Sequence, residues 1–120
     1  MTAKVVDYIR HCRIIYIMVF IETSLFTKLL DKYLSDDEYQ VLQEYLMAHP
    51  KSGDIVRGSG GVRKMRWATG NKGKSGGIRV IYYWKSADDE IWMLTLYAKN
   101  EWATIGANVL KQIAQEIDNE

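Results

Sequence analysis

The chain has 120 residues, 48% of them apolar and 26% charged, with a formal net charge of +1. Those proportions describe one ordinary globular domain, long enough to bury its own core. The single cysteine, Cys12, excludes an internal disulfide and suits a reducing cytoplasm. The longest apolar run, Ile14 to Ile21, is too short to span a bilayer.

Residues 1–17 show weak periodicity, and Met18 stands directly before the first convincing strand. They are expected to be an N-terminal extension to a single domain covering residues 18–120. Lys4, Arg10 and Arg13 precede the apolar run, but Glu22 follows it where a signal peptide needs a small-residue cleavage site. Val19 to Ile21 reads as a strand from its β-branched and aromatic content, with Ile14 as its earliest start. Thr23 or Ser24 caps a first helix reaching about Tyr33, with Phe26, Leu29, Leu30 and Tyr33 at helical spacing. Ser35 opens a second helix through a capping box with Glu38. Tyr39, Leu42, Tyr45 and Leu46 form its apolar stripe, and Pro50 lies just past its end. His49, near that end, suits the negative pole of the helix.

Three strands follow, Val62 to Ala68, Ile78 to Lys85 and Ile91 to Ala98, and a last helix runs from about Ile105 to Ile117. Val109, Leu110, Ile113 and Ile117 share one face of that helix. The order β-α-α-β-β-β-α predicts an α+β domain: a mainly antiparallel four-stranded sheet with the helices packed on one face.

The most uneven feature of the chain is its charge. Ile55 to Ala87 contains no Asp or Glu, yet holds Arg57, Arg63, Lys64, Arg66, Lys72, Lys74, Arg79 and Lys85, half of all its Lys and Arg. Such segregation on a balanced chain makes a local anion site, with a polyphosphate or an RNA strand as the counterpart. Strand alternation sorts these bases by face. Lys64 and Arg66 share one face of the first of the three strands, and Arg63 shares the other with Met65 and Trp67. Arg79, Ile81, Tyr83 and Lys85 share a face of the middle strand. Trp92, Leu94, Leu96 and Ala98 should meet the helices, leaving Tyr97 and Lys99 on the open side. One sheet face should therefore present Lys64, Arg66, Arg79, Tyr97 and Lys99 together. A merely solvated face explains Lys72, Lys74 and Lys85. It does not explain Arg79, a mid-strand arginine between apolar neighbours.

Ala68-Thr-Gly-Asn-Lys-Gly-Lys-Ser75 mimics a phosphate-binding loop, but Gly76-Gly-Ile-Arg-Val-Ile-Tyr-Tyr83 after it is a strand, not the helix that the mechanism requires. The segment reads instead as a cationic hairpin tip. His11 and His49 are the only histidines, and no Cys/His or carboxylate cluster has metal-ligand spacing, so neither metal nor cofactor is expected. Trp67, Trp84 and Trp92 are expected in the core or at its rim.

Three short motifs in this order resemble the RelE/ParE superfamily of toxin–antitoxin toxins, and most of all its HigB-type branch of ribosome-dependent mRNA endonucleases. They are Gly61-Val-Arg-Lys-Met-Arg66, Gly77-Ile-Arg-Val-Ile-Tyr-Tyr83 and Leu96-Tyr-Ala-Lys-Asn-Glu101. The resemblance covers Met18 to the last helix. It implies a RelE-like fold, an endoribonuclease that cuts mRNA in the ribosomal A site, and a cognate antitoxin that holds it inactive in the cytoplasm. Lys64, Arg66, Arg79 and Lys99 take the catalytic positions by that likeness. Arg63, Lys72, Lys74, Lys85, Tyr97 and Asn100 are the expected contacts to RNA or the ribosome. Where some relatives carry a tyrosine or histidine as general acid, this chain reads Asn100-Glu-Trp102. Two other functions fit the same face: a non-catalytic RNA-binding module, and a gyrase poison of the ParE kind.

Overall fold

The computed structural model describes residues 2–9, 15–68, 77–98 and 106–119. Its elements are β1 (Thr2–Ile9), β2 (Ile15–Glu22), α1 (Ser24–Tyr33), α2 (Asp36–Ala48), β3 (Asp54–Ile55), β4 (Arg63–Trp67), β5 (Ile78–Lys85), β6 (Glu90–Ala98) and α3 (Ala107–Asp118). A 3-10 turn at Ser86–Asp88, followed by Asp89 at φ 50°, makes the tight polar connection between β5 and β6.

Both helix starts form as their sequences dictate. The Phe26 amide donates to the Thr23 hydroxyl at 3.0 Å, and that hydroxyl donates to the Leu94 carbonyl at 2.7 Å. One side chain thus caps α1 and ties it to β6. At α2 the capping box closes, with Ser35 N donating to Glu38 Oε1 at 2.9 Å and Glu38 N to Ser35 Oγ at 3.2 Å.

The sheet differs from the expected four strands. It has six described strands in the order β1-β2-β6-β5-β4-β3. β2 runs parallel to β6 and the other pairs are antiparallel. β1 pairs with β2 from Thr2 opposite Glu22 to Ile9 opposite Ile15, so residues within 1–17 carry a strand that their weak periodicity did not signal.

The helices cover both faces of the sheet rather than one. α1 and α2 pack Phe26, Leu42 and Leu46 against Phe20, Val80, Tyr82, Met93 and Leu96. On the opposite face, α3 packs Leu110, Ala114 and Ile117 against Val62, Ile81, Trp92 and Leu94. The cause is that β5 and β6 are apolar on both sides, as strands buried between layers must be. The register also shifts between Ile81, opposite Thr95, and Tyr82, opposite Met93, leaving Leu94 as the bulged residue. That bulge separates Trp92 and Leu94, under α3, from Leu96, under α1 and α2; simple alternation had grouped all three. Val109, expected in the buried face of α3, is 48% exposed, and Ala114 takes its place in the core.

Two polar ties hold the layers. Glu22, only 6% exposed, accepts from Thr27 Oγ1 at 2.7 Å and from the Tyr39 phenol at 2.8 Å, joining β2 to both helices. Burial, and then the Glu22 charge, push the Tyr39 phenol well above its ordinary range. Across the sheet, Tyr83 donates to the Asp118 carboxylate at 2.8 Å, and Lys85 donates to the Ile117 carbonyl at 2.9 Å while pairing with Asp88 at 3.0 Å. Among the described residues no helix is long and apolar enough to cross a membrane.

Burial and the Asp118 contact push the Tyr83 phenol from 10.0 up to about 12. A raised phenol favours the folded state below its unfolded value, and that stabilisation is lost as pH climbs through the folded value. Urea midpoints should therefore fall between roughly pH 10 and 12, and fall less steeply for Tyr83→Phe. Removal of residues 1–17 takes away β1 and the first three residues of β2, yet should leave the β4–β5–β6 part of the sheet intact, because β1 joins the sheet through β2 and the pairing of β2 with β6 runs only from Val19 to Glu22. Thermal melts of the full and shortened chains check this, and a large drop in midpoint would make the segment integral to the domain.

Candidate functional site

Strand register places the basic residues in one transverse band. Arg66 of β4 lies directly opposite Arg79 of β5, which lies directly opposite Tyr97 of β6. One pair along, Lys64 stands opposite Ile81, which stands opposite Thr95. Directly opposed residues hold their Cβ atoms about 4.5–5.5 Å apart, close enough for two arginines to repel. α3 packs over Ile81, Trp92 and Leu94.

Arg79 is half-buried, and its Nη1 is fully buried with no hydrogen-bond partner among the described residues. A buried donor on a cation is costly to leave unmade. Asp54 of β3 stands directly opposite Lys64 and lines the same cavity, but among the described residues no carboxylate is within salt-bridge distance of Lys64, Arg66 or Arg79. The Tyr97 phenol is raised by burial, against the opposing pull of the Arg79 charge, so it stays protonated at neutral pH.

A cavity of about 500 Å³ opens at this band, lined by Tyr45, Ser52, Asp54, Lys64, Met65, Arg66 and Arg79. It exists because β3 is two residues long and pairs only with Arg63 and Lys64, so that among the described residues the rest of β4 has no strand on that side. The approach to β3 is pinned from behind. Tyr82 donates to the Pro50 carbonyl at 2.8 Å and accepts from the Gly53 amide at 3.0 Å. A Cβ at Gly53 would meet the Tyr82 ring at 3.1 Å, so any larger residue must push the chain and the ring apart by a few tenths of an ångström.

The structure therefore brings together Lys64, Arg66, Arg79 and Tyr97 of the residues singled out from sequence. It sends two others elsewhere. Arg63 lies on the opposite face and donates to the carbonyls of Gly53 at 2.8 Å and Lys51 at 3.2 Å, so it braces the loop before β3. Lys85 is held by Ile117 and Asp88, and the Asp88 carboxylate keeps its ammonium above the ordinary lysine range. Lys72, Lys74, Lys99 and Asn100 lie outside the described residues. Trp92 is buried and Trp84 packs at the core margin, as expected. Tyr45 was misjudged from sequence. Its place in the α2 stripe suggested burial, yet it is 40% exposed and lines the cavity. The available signal was His49 one turn later, whose ring lies 4.9 Å from that of Tyr45.

The mouth of the β4–β5 pair is set by Gly77, where a Cβ would fall 2.3 Å from the Trp67 carbonyl oxygen. Gly77→Ala must spread the strands beside Arg66 and Arg79. The variant should remain folded by circular dichroism but lose affinity for an anionic ligand such as inorganic polyphosphate. Unchanged binding would show that the mouth is not coupled to the arginine pair.

No protein-family model matches the chain. Among solved structures, the isolated RelE toxin of E. coli is similar at 16% sequence identity and a TM-score of 0.50, over 82% of this chain and 96% of that one. A chain of the intact E. coli RelBE toxin–antitoxin complex is similar at 16% identity and a TM-score of 0.51, over 69% of this chain and 96% of that one. The fold of this protein is RelE-like, an α+β domain with helices on both faces of a mixed sheet in which β1 lies beside β2.

Proposed function

We propose that this protein is the toxin of a toxin–antitoxin pair, an endoribonuclease of the HigB-type branch that cuts mRNA in the ribosomal A site. The observation that carries the proposal is the Arg66–Arg79 pair, two arginines directly opposite in the strand register, with a buried Nη1 on Arg79 that has no partner among the described residues. Such a pair is destabilising until an anion enters, and a phosphodiester supplies one.

In this reading the ribose 2′-oxygen attacks the adjacent phosphorus and the bond to the 5′-oxygen breaks. A cyclic phosphate and a 5′-hydroxyl result. The 2′-hydroxyl gives up its proton and the leaving oxygen takes one. Arg79 faces the charge that grows on the phosphorane, where its planar fork can hold two oxygens at once. Arg66 and Lys99 hold the flanking backbone, and Lys64 serves proton transfer. Tyr97 and Asn100 contact the RNA, with the protonated phenol of Tyr97 as a donor. Lys72 and Lys74 add non-specific attraction to RNA or the ribosome. The site contains little intrinsic acid–base equipment, so the ribosome must orient the nucleotide, an effect worth several kcal/mol in well-aligned systems. The partners are mRNA, the ribosome and a cytoplasmic antitoxin whose acidic segment covers the cationic band. The E. coli RelBE complex, itself a toxin–antitoxin assembly, supports the partner class.

Expression should arrest host growth, with relief from the product of an adjacent gene. Arg79→Ala should lower mRNA cleavage by about 10²–10³ while leaving the fold intact. Arg79→Lys should recover little, because an ammonium cannot make the two-point contact. Lys72→Ala and Lys74→Ala should weaken association in a salt-dependent way with milder effects on growth. Mapping mRNA 5′ ends with and without translation checks the set. A folded Arg79→Ala protein that cleaves like the parent would move the non-catalytic RNA-binding reading ahead.

A further inference from the structure

A second cavity of about 450 Å³ adjoins the cationic one, lined by Tyr45, Met65, Arg66, Trp67 and Ala68. Tyr45, Met65 and Arg66 line both cavities, so they are neighbouring halves of one depression around the part of β4 that β3 leaves uncovered. The halves differ in chemistry. One gathers Lys64, Arg66 and Arg79 against the single carboxylate of Asp54, an excess of positive charge that calls for an anion. The other is walled by two aromatic rings, a methionine and an alanine, and offers charge nothing but Arg66 at its border.

The Tyr45 and Trp67 rings lie 5.3 Å apart at an interplanar angle of 55°, and those of Tyr45 and His49 lie 4.9 Å apart at 46°. Tilted rings leave an open angle rather than a closed stack. Tyr45 is also too exposed for a core residue, while Tyr39, Leu42 and Leu46 of the same helix supply the packing. A flat, neutral π-system joined to a phosphate matches both halves at once.

We infer that Tyr45 and Trp67 form a stacking ledge for one nucleobase of single-stranded RNA, next to the phosphate seat at Arg66 and Arg79. The inference rests on the RNA reading of that seat. It adds a contact on the α2 side of the sheet that tolerates any base, because every base offers a π-face. Arg66, at the border, links the base of one nucleotide to its phosphate.

The test uses the purified full chain and two short single-stranded probes. One is an oligoadenylate with 2′-O-methyl riboses, which cannot be cut by 2′-hydroxyl attack, and the other is its abasic analogue with the same number of phosphates. The parent protein should prefer the base-bearing probe by about 5- to 160-fold, the range for loss of one aromatic–base stack. Tyr45→Ala should remove most of that preference, weakening the base-bearing probe far more than the abasic one while the cations of the phosphate seat keep the salt dependence. Tyr45→Phe should restore it. Arg66→Ala should weaken both probes and flatten the salt dependence. A folded Tyr45→Ala protein that keeps the parent's preference overturns the ledge alone, as does salt-dependent binding by the parent without any base preference. Failure of both probes to bind the parent overturns the RNA reading and the ledge with it. An acidic peptide of matched charge that binds with the same dependence on Tyr45 overturns the nucleobase assignment.

Discussion

Everything at the site depends on β5 being a strand that is buried on both faces and yet carries Arg79. Ile78, Val80 and Tyr82 serve the core under α1 and α2, and Ile81 serves the core under α3. The strand cannot rotate or slip without exposing one of these sets and burying polar groups in its place. Arg79 is thereby fixed between Arg66 and Tyr97, although the repulsion of the two guanidinium groups opposes the arrangement. Apolar burial of several side chains at roughly 1.5–3 kcal/mol each outweighs the repulsion of two like charges directly opposite on one face of a sheet. The core thus holds a cationic pair that local electrostatics alone would disperse.

The two layers divide the work around that strand. α1 and α2 anchor one face through the Glu22 network, whose carboxylate gathers hydroxyls from both helices. α3 anchors the other, clamped at its C-terminus by Tyr83 and Lys85. Lys85 is a case in which one basic residue of an acid-free segment serves architecture. Its ammonium meets the carbonyl end of a helix, where positive charge is favourable. Arg63 does similar work on the opposite face by collecting the carbonyls of Lys51 and Gly53.

The cavity itself comes from incomplete pairing. β3 covers Arg63 and Lys64 and then stops, so among the described residues Met65 to Trp67 remain an open edge with cations on one side and Tyr45 on the other. Open edges invite self-association in sheet proteins, and charge on the edge is a common defence. Here Lys64 and Arg66 supply that defence and also bound the anion seat, so solubility and recognition draw on the same side chains.

The sequence by itself determined the helices, the strands β4, β5 and β6, and the shared face of Lys64, Arg66, Arg79 and Tyr97. These follow from short-range rules: capping at Thr23 and Ser35, helical spacing in α1 and α2, and the two-residue alternation of strands. Only tertiary structure decided where the faces went. The bulge at Leu94 divided an apolar run that alternation had kept together, and α3 took the second face because β5 and β6 are apolar on both sides. The pairing of β1 with β2 was equally unreadable, since weak periodicity says nothing of a partner strand. The fates of Arg63, Lys85 and Tyr45 were settled by neighbours remote in sequence, the 51–53 loop, the end of α3 and Trp67. Charge and ring type are visible in a sequence, but the group that satisfies them depends on which elements the fold brings together.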